Sequence, residues 1–170
     1  WWQDQVNGLT RLVSPQGFIA GRLANLSPEQ SSLNKQIYGI AGSQKSGQSQ
    51  SGQTSAYSSA ELAALFSAGI DVISCPQPAG YFWGARGGKN ASSDPTRNGD
   101  NYTRLTNYIA RTLSAGMGQY VGQLINDSLF RNIRGTLLSF LQNMSNLGLL
   151  GSTDGQSPYS VICDSSNNSL

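Results

Sequence analysis

One run in this chain has the composition of a phosphate-binding loop: Gly84-Ala85-Arg86-Gly87-Gly88-Lys89. Such a loop needs four residues between its first glycine and the Gly-Lys pair, then a Ser or Thr to hold magnesium. Position 83 is Trp and position 90 is Asn, so both requirements fail. The glycines are better read as letting the backbone turn tightly after a buried strand, with Arg86 anchoring a nearby carboxylate or carbonyl. Nothing else supplies chemistry. The chain has no histidine, which removes the usual general base and transition-metal ligand. Cys75 and Cys163 are too far apart in sequence to suggest a zinc site, and the acids form no close pair of the kind a hydrolase or hard-metal cage uses. Serine is abundant, but no Gly-x-Ser-x-Gly elbow leads to a triad partner. The expectation is a non-enzymatic protein with no catalytic residue, no cofactor and no metal.

The elements around this run follow from periodicity. Gly80 to Pro95 (GYFWGARGGKNASSDP) enters as a buried aromatic strand and closes on an Asp-Pro pair before the longest helical stretches. Trp1 to Val13 is short and amphipathic, with Gly8 weakening a helix; a loop packing two tryptophans onto the domain is one reading. Ser14-Pro15 starts a helix with Phe18, Ile19, Leu23 and Leu26 inward, ended by Ser27-Pro28. Residues 36–41 suggest a short strand. Ser58 to Glu61 is a capping box for a helix with Leu62, Leu65 and Phe66 inward and Gly69 as its C-terminal cap. Residues 70–75 read as a strand, paired with a second through Tyr81-Phe82-Trp83. Asp100 starts a helix with Tyr102, Leu105, Ile109 and Leu113 as its inner stripe and Gly116 and Gly118 at its end. Residues 119–125 suggest another strand. Asn126 or Asp127 then caps the longest helix, whose stripe is Phe130, Ile133, Leu137, Leu141 and Met144, widened by Leu138 and Phe140, with Gly148 as its cap. Tyr159 to Cys163 reads as the last strand. Together these predict an α/β (α+β) fold, a mixed sheet covered by helices.

Length and composition set the frame. At 170 residues the chain suffices for one domain, read as 1–170. Gly42 to Tyr57 (GSQKSGQSQSGQTSAY) is expected to be a flexible loop inside it, since it buries too little apolar surface to offset its ordering. Charged residues are only 12% and the net charge is +2, too weak and scattered for direct nucleic-acid binding. The polar fraction is mostly neutral amides and hydroxyls, a surface compatible with packing against copies of itself. No run of 18 apolar residues suggests membrane insertion. Cys75 and Cys163 end the apolar runs IDVISC and YSVIC, as buried free thiols in a reducing compartment do; a single disulfide is the alternative. Asn-x-Ser/Thr triplets such as Asn90-Ala91-Ser92 and Asn101-Tyr102-Thr103 read as chance. The chain begins Trp1-Trp2 and ends in a polar run, and is expected to be a piece of a longer protein.

The order of these pieces resembles contractile phage tail sheath proteins. Residues 14–21 (SPQGFIAG) are similar to that family's P-S-G-x-x-A-G helix start, and residues 65–73 (LFSAGIDVI) to its L-N-x-x-G-I-N-x-I. YFWGARGGKNASSDP resembles G-x-x-V-W-G-A-R-T-L-S-S-D-P, and residues 101–113 (NYTRLTNYIARTL) resemble the following helix. FLQNMSNLGLLG (140–151) matches F-L-x-x-L-W-x-x-G-A-L-x-G in spacing, and YSVICD (159–164) resembles F-x-V-x-C-D. The likeness runs from Val13 onward, in order, and WGAR with a downstream SSDP is its most specific part. The family continues into a further strand carrying P-A-E, which this sequence lacks.

The resemblance implies the inner C-terminal domain of a sheath subunit, the family that also covers tailocin and type VI secretion sheaths. It implies a sheet with an open edge, completed by extended arms donated by neighbouring subunits. The implied role is structural: a virion component that polymerises around an inner tube and contracts to drive it through the host envelope during genome delivery. Implied partners are further copies of itself in a helical assembly, the inner tail tube protein, and baseplate and tail terminator proteins, with assembly in the host bacterial cytoplasm. Individual assembly-interface residues are not assigned. The alternative is a non-enzymatic binding module using the 42–57 loop or the 127–147 helix face. A sheath subunit is expected to have chain on both sides of this piece; a free-standing module is not.

Overall fold

The computed structural model describes residues 1–43, 45 and 57–167. The chain divides into two compact units, Trp1–Thr106 and Asn107–Leu170. The expected flexible loop of 42–57 falls mostly outside the described residues.

The first unit opens on a hairpin, β1 (Trp2–Asp4) and β2 (Leu9–Arg11), paired Trp2 to Arg11 and Asp4 to Leu9. Asp4 makes the turn. Its carboxylate accepts the side-chain amide of Asn7 and the backbone N–H groups of Val6 and Asn7, and these hold its carboxyl below the usual range. The free side of β1 is partly covered by Gly39 to Ala41, through Gln3 N–H to Gly39 (3.1 Å) and Ala41 N–H to Trp1 (2.8 Å). The strand expected over 36–41 is therefore two single bridges, Gln36 opposite Gly84 and Ile40 opposite Trp2. Gly39 divides them, sitting at φ +81 with the Trp2 indole against it.

α1 (Gln16–Ala24) follows Pro15; the Ser14 hydroxyl bonds the Gln16 side chain rather than capping an amide. α2 (Ser59–Ser67) carries the expected capping box, Ser58 and Glu61 each accepting the other's N–H. Gly69 at φ +74, with Ile70 N–H returning to Leu65 (2.9 Å), closes α2 as expected. Lys45 lies 2.5 Å from both Glu61 carboxylate oxygens. That bond first, and the Ser58 donors second, pull Glu61 from its ordinary 4.5 down to about 2. A carboxyl depressed on folding adds stability above its unfolded pKa and loses it as pH falls toward the folded one. The stability difference between wild type and Glu61→Gln is therefore expected to persist at neutral pH and vanish between pH 4.5 and about 2, measured by urea unfolding at each pH. The pair is exposed, so salt is expected to shrink the difference.

β3 (Ile73–Ser74) and β4 (Gly84–Ala85) form an antiparallel ladder, Ile73 opposite Ala85 and Ser74 opposite Gly84. The two strands do pair as expected, but the second is not Tyr81 to Trp83. Those aromatics enter the turn closed by reciprocal bonds of Gln77 and Gly80 (2.9 and 3.1 Å), and Tyr81 is exposed. The strand forms instead at two small buried residues, because on its far side the backbone of 33–37 comes close. A Cβ at Gly84 would lie 2.7 Å from the Lys35 carbonyl. Asn34 N–H bonds Ala85 (3.0 Å) and Ile37 N–H bonds Trp83 (2.8 Å).

In the second unit α3 (Asp100–Met117), which begins in the first, runs through Gly116 and ends before a 3₁₀ turn, Gly118–Tyr120. Leu105, Ile109 and Leu113 are half-buried, but Tyr102 is exposed. The strand expected over 119–125 is absent: Gly122 takes φ +83, and Val121 and Leu124 stand 83% and 82% exposed. α4 (Asp127–Asn146) is capped by Asn126, whose side-chain oxygen accepts Leu129 N–H at 2.8 Å, and closed by Gly148 at φ +72. Met144 is only 2% exposed and Leu129 is also buried; the stripe between them is half-buried. The strand expected at 159–163 is also absent. Tyr159 instead donates its hydroxyl to Gln142 Oε1 (2.7 Å).

The fold is thus α+β, but its strands form two two-stranded antiparallel ladders among the described residues, not one mixed sheet. Both cysteines are free; Cys75 is buried, which pushes its thiol up, and Cys163 is half-buried. In the first unit the buried side chains are Ile37, Val72, Cys75 and Ala85, against the polar Asp4, Ser32, Ser74, Gln77 and Asp100. Polar side chains thus occupy the interior alongside apolar ones, most of their buried atoms hydrogen-bonded.

Candidate functional site

The glycine run sits at the centre of the first unit, and its ligand is internal. The Asp71 carboxylate accepts four backbone N–H groups: Val72 and Gly87 on Oδ1 at 2.7 Å each, Gly88 on Oδ2 at 2.7 Å and Lys89 on Oδ2 at 3.3 Å. Consecutive amides converging on one anion form a nest. Both glycines are required by geometry. A Cβ on Gly87 would lie 2.9 Å from Asp71 Oδ1, and Gly88 sits at φ +60 with Ser31 and Leu33 packed against it. The anchoring role expected of Arg86 is thereby reversed. The loop donates and Asp71 accepts, while Arg86 contributes its backbone N–H to Val72 C=O (2.8 Å). Its guanidinium has no hydrogen bond or ion pair among the described residues.

Two further clamps follow, the first tying the loop to α3 and the second tying α3 to the end of α1. Gly88 C=O accepts Asp100 N–H (3.1 Å), and Asp100 Oδ2 accepts the Ser32 N–H (2.9 Å) and hydroxyl (2.5 Å). One helical turn on, Arg104 spreads over four carbonyls: Leu23 and Leu26 at 2.6 Å, Gln30 at 3.1 Å and Ser27 at 3.4 Å. Its charge faces the C-terminal end of α1, where carbonyls lack helical partners. The SSDP segment folds locally. Asp94 accepts the Thr96 hydroxyl (2.7 Å) and N–H (2.9 Å), and Asn90 N–H to Asn98 (2.8 Å) closes the base of the loop.

Beside this centre lies an unfinished edge. Arg86 N–H bonds Val72 C=O, so Ile73 and Ala85 are a non-hydrogen-bonded pair and the N–H and C=O of Ile73 point away from β4. No backbone group among the described residues meets them. A groove of about 390 Å³ runs alongside, lined by Leu12, Phe18, Leu65, Ile70, Ile73 and Trp83 among others. It is mainly apolar and holds no set of acids or nucleophiles. Among the described residues no group of three or more His, Cys, Asp or Glu is placed to hold a metal, and no helix is long and apolar enough to cross a membrane.

No protein-family model matches this chain, and the search of curated proteins finds no relative.

Proposed function

We propose that this chain is part of the inner domain of a contractile tail sheath subunit. In that reading it is a structural virion protein that works without catalysis or cofactor. It polymerises around an inner tube, and its partners are further copies of itself, the tube protein, and the baseplate and terminator proteins. The observation that carries the reading is the free edge of β3 beside an apolar groove. Unpaired backbone groups next to apolar pockets are what an extended arm from a neighbouring subunit needs for strand addition. The motif order from SPQGFIAG to YSVICD supports the same reading, and its most specific run, WGAR to SSDP, is the run that surrounds the Asp71 carboxylate and accepts Asp100 N–H. Arms on hinges keep subunits joined while rigid bodies rotate, and contraction releases energy held in the extended lattice with no nucleotide hydrolysed.

The competing reading is a binding module presenting the 127–147 helix face, favoured by the half-buried stripe between Leu129 and Met144. Negative-stain electron microscopy of the full-length protein at high concentration separates the two. Hollow helical tubes are the expected result. A dispersed monomer at every salt concentration overturns the sheath reading and leaves the binding module.

A further inference from the structure

The glycine run fails as a nucleotide loop by spacing, yet its amides do converge on an anion. Three consecutive N–H groups, Gly87 to Lys89, and that of Val72 point at one carboxylate, and the side chain supplying it enters from just before β3. The backbone on either side of the loop donors is held by bonds that do not involve that carboxylate. Gly88 C=O is held by Asp100 N–H, Arg86 N–H by Val72 C=O, and Asn34 N–H by Ala85 C=O. The cradle also opens to solvent. Asp71 and Lys89 line a second cavity of about 340 Å³ whose wall includes Asn90, Ser92, Ser93 and Asn98. That volume admits a small oxyanion.

We propose that Gly87-Gly88-Lys89, with the Val72 N–H, is an oxyanion-binding site whose resident ligand is the chain's own Asp71, and that with the Asp71 side chain removed it takes a small carboxylate from solution. The recognition is that of a carboxylate by fixed backbone amides, so size and shape decide the ligand. Asp71→Gly removes a CH₂–COO⁻ group, the size of acetate. Asp71→Ala leaves the β-carbon in place and room only for formate.

The test is thermal unfolding of both variants in acetate, formate and chloride at constant ionic strength and pH 7. Both variants are expected to melt below wild type. Acetate is expected to raise the midpoint of Asp71→Gly by about 5–10 °C at saturating concentration. Formate is expected to serve Asp71→Ala better than acetate does, and chloride to serve neither. Asp71→Asn is the control: its amide keeps the cradle filled, so none of the three anions is expected to raise its midpoint. If a variant is unfolded without added anion, recovery of its far-UV circular dichroism on addition of the matching carboxylate is the same result. Equal effects of all three anions, equal effects on wild type or Asp71→Asn, or no recovery throughout the titration each overturn the proposal.

Discussion

Gly88→Ala is expected to cost the first unit about 3–4 kcal/mol, enough to unfold a marginally stable domain. Two costs add. Gly88 holds φ +60, where a β-carbon meets its own carbonyl at roughly 1–2 kcal/mol. The new methyl would also overlap Ser31 Oγ and stand 2.8 Å from Leu33 Cβ and 3.0 Å from the Leu33 backbone nitrogen. The serine hydroxyl can rotate away, but the Leu33 backbone is pinned beside Asn34, which bonds Ala85. Gly88 also donates to Asp71 and accepts from Asp100, so any shift of its peptide disturbs both clamps. The check is the urea midpoint, with Gly116→Ala as reference. Gly116 lies inside α3 with nothing within 4 Å of where an alanine methyl would sit, and alanine there is expected to stabilise by roughly 0.5–1 kcal/mol. If Gly88→Ala unfolds at the same urea concentration as wild type, the tight turn in the nest is not as described.

Arg104→Met is expected to lower stability by about 3 kcal/mol, although the apolar stem is conserved. A hydrogen bond from a charged donor contributes roughly 1.5–3 kcal/mol, and the loss of this guanidinium removes the charged donor from four carbonyls at once, of which Leu23 and Ser27 keep a backbone N–H. The sum is discounted because the side chain is half-buried and water reaches part of the fork. Lysine cannot span the four acceptors, so Arg104→Lys is expected to recover less than half of the loss. Urea midpoints measure the size. Amide exchange measures the place: protection is expected to fall first in residues 23–30, where the carbonyls sit. Loss of protection spread evenly over the unit would show that Arg104 acts through general packing instead.

Local signals in the sequence proved the most readable. The Ser58–Glu61 capping box, the Asn126 cap and the glycines closing α2 and α4 are each written in neighbouring residues, so neighbours suffice to predict them. The strands were less so. Residues 119–125 and 159–163 have apolar content suited to a strand, but a strand needs a partner, and that requirement is not visible in the segment itself. The shift of β4 from the aromatics to Gly84-Ala85 has the same origin, since it depends on the approach of Lys35 from far back in the chain. The centre of the first unit was half legible. The glycine run identified itself by composition, but its ligand did not. Asp71 was visible only as a lone acid inside the apolar run IDVISC, and the nearby Arg86 was the more obvious charge. Arg104 left no signal beyond its place one turn into a helix.

The clamps also bear on how the protein is made. Arg104 reaches back 81 residues to Leu23, and Asp100 reaches back 68 to Ser32. A ribosome working at about 5–20 residues per second leaves ~4–16 s between synthesis of the first partner and the last. Throughout that interval the carbonyls at the end of α1 have only local backbone N–H groups, as at Leu23 and Ser27, or water as partners, and the charge that spans them has not yet been made. Closure of the Asp100 and Arg104 clamps is therefore a late event on the nascent chain, set by the emergence of the segment after SSDP, and until then the end of α1 is open to chaperones and proteases.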